Sequence, residues 1–159
     1  MSLTSEMLFR PHGHFSVRVE GQILLTEVTG PWNLELVEYW ATQALGLAQG
    51  FRKDFPYVAV TIIHDSMLCP LDALERVAQG VAYARQNLAC VGHCIVVAPD
   101  VDGREIVRNA YQRIGLGLFF ADLEQALHWA SQCLSKFRSD GDQTSDRVCK
   151  EVCGSEAAD

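Results

Sequence analysis

The sequence predicts an α/β domain built on a mixed, mostly parallel sheet in the order ββαβαβαβα, and three observations carry that prediction. Two stretches, "YVAVTII" (57–63) and "CVGHCIVVA" (90–98), are apolar on both faces, as strands covered by helices on two sides are. Between and around them, apolar residues recur at spacings of three and four, the stripe of an amphipathic helix. Ahead of the first such stripe, "FSVRVEG" (15–21) and "QILLTEVTG" (22–30) follow one another with no helix between them. They therefore form a hairpin, while the later strands, linked by helices, run parallel.

Taken in order, residues 1–14 carry little periodicity and read as a loose lead-in to a domain spanning 15–137. In the first strand Phe15, Val17 and Val19 share a face, and Gly21-Gln22 makes the tight turn into the second. "NLELVEYWATQALGLAQGF" (33–51) lines up Leu36, Val37, Trp40, Ala41, Ala44, Leu45 and Ala48, with Asn33 as cap. The central strand, 57–63, ends in a polar turn. The second helix starts at Pro70, whose fixed φ and missing amide suit a first helical position, and turns Leu74, Val77, Ala78 and Val81 inward until about Asn87. After the buried strand 90–98, "PDVDG" leads into a short helix, 104–114, closed by Gly115. "LGLFF" is the last strand. Asp122 and Gln125 cap a fourth helix whose buried stripe runs from Leu123 to Phe137. Residues 138–159 hold few apolar side chains and read as a disordered tail.

Composition narrows the function. A chain of 159 residues, 48% hydrophobic, can bury one continuous core. A net charge of −7, with 13 scattered Lys and Arg, disfavours nucleic acid as a partner. No window reaches the roughly 18 apolar residues of a membrane span, and "MSLTSEMLFRPHGHF" has no leader pattern. A cytoplasmic location and six reduced cysteines are the expectation.

The common catalytic motifs are missing: GxxxxGK[ST], GxGxxG after a strand, GxSxG and HExxH do not occur. Cys90 and Cys94 lie four apart in a strand, so they are expected to share a face about 13 Å apart at ~3.3 Å per residue, too far to chelate one ion, with His93 pointing the other way. His12 and His14 lack a third ligand, and Cys149 and Cys153 fall in the tail. We expect no metal site, no cofactor and no catalytic residue. The loop "HDSMLCP" (64–70) is the place to look, because open α/β sheets put binding groups at the carboxyl ends of their strands. His64 and Ser66 do not make a hydrolase pair, since neighbours at a strand end point to opposite faces. Cys69 is better placed as a nucleophile than Ser66, because a thiol just before a helix feels the positive end of the dipole, but the preferred reading is a corner residue packed beneath the turn.

Two stretches carry a family resemblance. "RIGLGLFFADLEQAL" (113–127) resembles the closing section of STAS domains, the fold of bacterial anti-sigma-factor antagonists. "GQILLTEVTGPWNLELVE" (21–38) is similar to that family's second strand and first helix start, most closely in its divergent SpoIIAA-like branch. The resemblance covers residues 15–137 and implies a non-enzymatic regulatory or binding module acting through a protein partner. It also implies that Ser66, after Asp65, stands where the family carries a phosphorylatable serine. Met67-Leu68-Cys69-Pro70 replaces the small residue and glycine found there. The same branch resembles the lipid-carrying CRAL-TRIO fold, which implies a second reading: a small apolar ligand or lipid, with peripheral membrane contact. On either reading Trp32, Leu36 and Trp40 of the first helix region, with Asp65, Ser66, Met67, Leu68 and Cys69 of the loop, form the expected ligand or partner surface. A homodimer is a further arrangement left open, and an enzyme ranks third.

Overall fold

The structure, a computed structural model, describes residues 10–142. Five strands lie side by side in sequence order: β1 (His14–Glu20), β2 (Ile23–Thr29), β3 (Tyr57–His64), β4 (Cys90–Val97) and β5 (Phe119–Phe120). β1 and β2 pair antiparallel from His14↔Thr29 to Glu20↔Ile23, closing on the Gly21-Gln22 turn. The remaining neighbours are parallel. Among the described residues four helices accompany the sheet: α1 (Leu34–Ala48), α2 (Leu71–Asn87), α3 (Arg104–Arg113) and α4 (Leu123–Asp142).

The sequential strand order decides where the helices go. Each of the β2–α1–β3, β3–α2–β4 and β4–α3–β5 units steps in the same direction, and crossovers of one hand then put all three helices on one face. That face packs Trp32, Leu36, Ile63, Met67, Leu74 and Tyr111 into a common core. α4 crosses to the other face, where its Ala126, Ala130 and Leu134 cover Val58, Val60, Ile62, Cys94 and Val96. The outer part of that second face carries charge instead. Arg18 bonds Glu20 at 2.6 Å and Glu27 at 2.9 Å, and Glu27 also meets His64 at 3.0 Å.

The end signals work as the sequence implies at Asn33, whose side-chain oxygen accepts from the Leu36 amide at 3.1 Å, and at Asp122, which accepts from the Gln125 amide at 2.9 Å. Gly115, at φ +84°, follows α3. Four details differ from the sequence reading. Pro70 is the extended residue before α2 rather than its first helical residue. Only Phe119 and Phe120 of "LGLFF" pair with β4; Gly117, two residues earlier, passes close to the side chain of Gln112. α4 runs on to Asp142, past the limit of 137, as a helix already nucleated adds residues at little cost. The β3–β4 register shifts between Tyr57↔Cys90 and Val58↔Gly92. That irregularity flips the strand, so Cys90 and Cys94 lie on opposite faces, and His93 on the same side as Cys90. The expectation of a shared face assumed unbroken alternation.

Residues 1–9 of the lead-in and 143–159 of the tail, with Cys149 and Cys153, lie outside the described residues.

Candidate functional site

The loop after β3 is tied down on both sides by its own backbone. The Gly30 amide donates to His64 O at 3.1 Å, and the Trp32 amide to Leu68 O at 3.3 Å, which fastens the loop to the start of α1. On its other flank the Met67 amide donates to Asp102 O at 2.8 Å, and the Asp102 amide to Asp65 O at 3.1 Å. Asp65 holds the left-handed conformation at φ +68°, a turn geometry that Asp tolerates better than most residues. The fit leaves no spare room. A Cβ on Gly30 would sit 2.1 Å from Ser66 O, and one on Gly103 would sit 2.6 Å from the Leu68 side chain.

The loop and the first turn of α1 therefore meet, but their side chains turn inward. Trp32, Leu36 and Met67 are buried in the core under the loop, Met67 with no exposure at all. Ser66 is 5% exposed, and its Oγ accepts from the Leu68 amide at 3.1 Å. Cys69 is half-buried, and burial, followed by the nearby Asp72 carboxylate, pushes its thiol up to about 11. That direction is opposite to the one a helix-terminus nucleophile requires. Asp65 and Leu68 keep exposed surface.

The open space lies elsewhere in the same interlayer. A cavity of about 520 Å³ runs between α1 and α2 above the amino-terminal half of the strands. Its floor is Leu24 and Thr26 of β2, Tyr57, Ala59 and Thr61 of β3, and Cys90 and His93 of β4. One wall is Trp40, Ala41, Ala44, Leu45 and Ala48; the facing wall is Arg76, Gln79, Gly80, Tyr83 and Ala84. The physical cause is the choice of small residues. Alanine sits at 41, 44, 48, 59 and 84 and glycine at 80, where a Cβ would come within 3.7 Å of the Trp40 ring from the facing helix. Arg76 reaches across to Glu38 and clips the two helices together in their amino-terminal halves. A second chamber of about 50 Å³ continues toward Trp32, Leu36 and Ile63, sharing Thr26, Trp40, Thr61 and His93 with the first.

Polar groups in the cavity are few and mostly satisfied. Trp40 Nε1 donates to Thr26 Oγ1 at 3.0 Å. Cys90 Sγ donates to Gly92 O at 3.3 Å, and burial raises both its thiol and the Tyr57 phenol, so neither ionises near neutrality. His93 Nε2 lies 3.3 Å from Thr61 Oγ1. Burial first, and the Arg85 guanidinium second, lower the imidazole to about 4. The ring is half-buried and borders the cavity, so it is a neutral hydrogen-bonding group facing an apolar space.

Of the eight residues singled out from the sequence, only Trp40 lines this cavity; Trp32, Leu36 and Trp40 line the smaller chamber, and the five loop residues line neither. His93 was legible as the one ionisable ring in a strand otherwise built of apolar and small residues. Among the described residues no group of three or more His, Cys, Asp or Glu side chains is placed to hold a metal ion, and no helix is long and apolar enough to cross a membrane.

No protein-family model matches the sequence, and no curated protein does. A solved structure similar to this chain is that of SLC26A9, at a TM-score of 0.50 and 12% identity over 77% of this chain. The architecture is STAS-like. The matched region is 21% of the SLC26A9 chain, and at that identity the likeness speaks to fold alone. In this STAS-like domain the serine loop and the cavity occupy opposite ends of one helix-covered sheet face.

Proposed function

We propose that the chain is a non-enzymatic STAS-type binding module that holds a small apolar ligand between α1 and α2. The cavity of about 520 Å³ carries this reading, since small-molecule sites are mostly apolar spaces of ~300–1,000 Å³ with a few placed polar groups. The likeness to SLC26A9, which contains a STAS domain, supports the module type and nothing finer. The buried Ser66 hydroxyl, already an acceptor for Leu68, speaks against regulation by phosphate unless the loop opens. The raised Cys69 thiol speaks against a thiol enzyme.

The test is a titration with diphenylhexatriene, a hydrocarbon that fluoresces when it leaves water. The protein is expected to bind one equivalent, and Ala44→Leu and Ala84→Leu, which fill the cavity from either wall, to bind at least about ten-fold more weakly. Equal binding by all three proteins rules the cavity out as the site.

One observation favours a protein partner as a second reading. Leu71 is 68% and Ile106 78% exposed, at the starts of α2 and α3. Leu71→Ser with Ile106→Ser is expected to abolish capture of such a partner while leaving diphenylhexatriene binding intact.

A further inference from the structure

The cavity is selective in what it offers a ligand. Among its lining residues Arg76 is the one with a fixed formal charge, and Glu38 already pairs with it across the helices. An ionised carboxylate entering the space would lose its water, and because Arg76 is already paired and Arg85 acts only from outside the lining, that cost goes largely uncompensated. A cationic ligand would meet Arg76, and the field of Arg85 that His93 already experiences. What the floor does offer is the His93 ring. One of its nitrogens faces Thr61 Oγ1, and among the described residues the ring makes no other hydrogen bond. A neutral imidazole presents one donor and one acceptor, so its second nitrogen is either, depending on the tautomer. A hydroxyl group satisfies both cases, whereas a carbonyl serves only one.

We propose that the ligand is an uncharged aliphatic alcohol, its hydroxyl at the His93 nitrogen turned away from Thr61 and its chain along Ala41, Ala44 and Ala48. This inference rests on the ligand reading of the cavity. At ~30 Å³ per water-sized group, a space of about 520 Å³ takes roughly 17 heavy atoms, which suits a medium-length chain. The polar end of the ligand lies inward, toward the sheet, and the clip between Glu38 and Arg76 stays closed.

The inference is tested by displacing diphenylhexatriene from the full chain with 1-decanol and with decanoate at pH 7.5, in the native protein, His93→Phe and His93→Gln. The native protein is expected to bind 1-decanol at least about ten-fold more tightly than decanoate. Loss of one neutral hydrogen bond in His93→Phe weakens decanol by roughly three- to ten-fold. His93→Gln, which keeps a donor and an acceptor, restores it to within about two-fold. All three proteins still bind the hydrocarbon probe, which shows that they are folded with the cavity open. Decanoate binding as tightly as decanol, or His93→Phe leaving decanol unaffected, overturns the alcohol assignment while sparing the ligand reading. Failure of the hydrocarbon probe and decanol alike to bind the native protein overturns both.

Discussion

The two ends of one interlayer solve opposite packing problems. Toward the carboxyl ends of the strands, the space between sheet and helices is filled by Trp32, Leu36, Met67, Leu74 and Tyr111, and the chamber left there is about 50 Å³. Toward the amino ends, the same two helices face each other with alanines and a glycine, and the space is about 520 Å³. The carboxyl end, where open α/β sheets usually bind, is here sealed by its own loops. Backbone bonds from Gly30, Trp32, Met67 and Asp102 use the groups that a ligand would need. A general rule about strand ends therefore yields, in this chain, to the volumes of particular side chains.

That contrast can be broken or sharpened by substitution. The largest expected effect is Trp32→Ala, which empties a filled position and is expected to cost about 3–5 kcal/mol in chemical denaturation. Ala84→Leu at the other end adds bulk at a partly exposed position on the cavity wall and is expected to change stability by under ~1 kcal/mol. Comparable losses in the two variants would mean that both ends are close-packed.

Next in size is an acid dependence. The His93 pKa is lowered in the folded state, from an ordinary 6.5 to about 4, so the unfolded chain binds its proton first. The stability owed to neutral His93 is fully present above about pH 6.5 and is lost as pH falls toward 4. Urea midpoints measured across that window are expected to fall for the native protein and to stay flatter for His93→Gln. Identical slopes would place the ring in water.

Ser66→Ala follows. It removes the acceptor of the Leu68 amide and is expected to cost about 1 kcal/mol, with diphenylhexatriene binding unchanged. A fall in probe affinity would couple the loop to the cavity. The smallest effect is a gain. A Cβ on Gly80 meets nothing closer than 3.6 Å, so Gly80→Ala is expected to raise stability by up to ~1 kcal/mol through helix propensity, read from the thermal midpoint. A loss there would mean that α1 and α2 lie closer together than the cavity requires.

Much of the fold was legible because its determinants are local. Asn33 and Asp122 cap helices through bonds to residues three positions on, Gly21-Gln22 turns a hairpin, and Gly115 ends a helix. The parallel order followed from apolar strands alternating with helical stripes. The site was less legible, because a cavity depends on the distance between helices. Alanine at 41, 44 and 48 reads identically in a close-packed pair and in an open one. Cys90 and His93 were assigned to faces by strict alternation, and the register shift at Tyr57/Val58, which no local motif announces, reversed the outcome. Trp32 and Met67 lie outside helices and strands, which suggested surface; long-range backbone bonds to Leu68 and Asp102 bury them instead.

Amide and methyl NMR spectra recorded during a titration with 1-decanol test the central contrast most directly, since both ends of the interlayer report in one experiment. The account predicts saturable shifts in the methyl signals of Ala41, Ala44 and Ala84 and in the His93 ring, with the amides of Ser66, Met67 and Leu68 unmoved. Shifts confined to residues 65–71, with the alanine methyls and His93 unchanged, would contradict it.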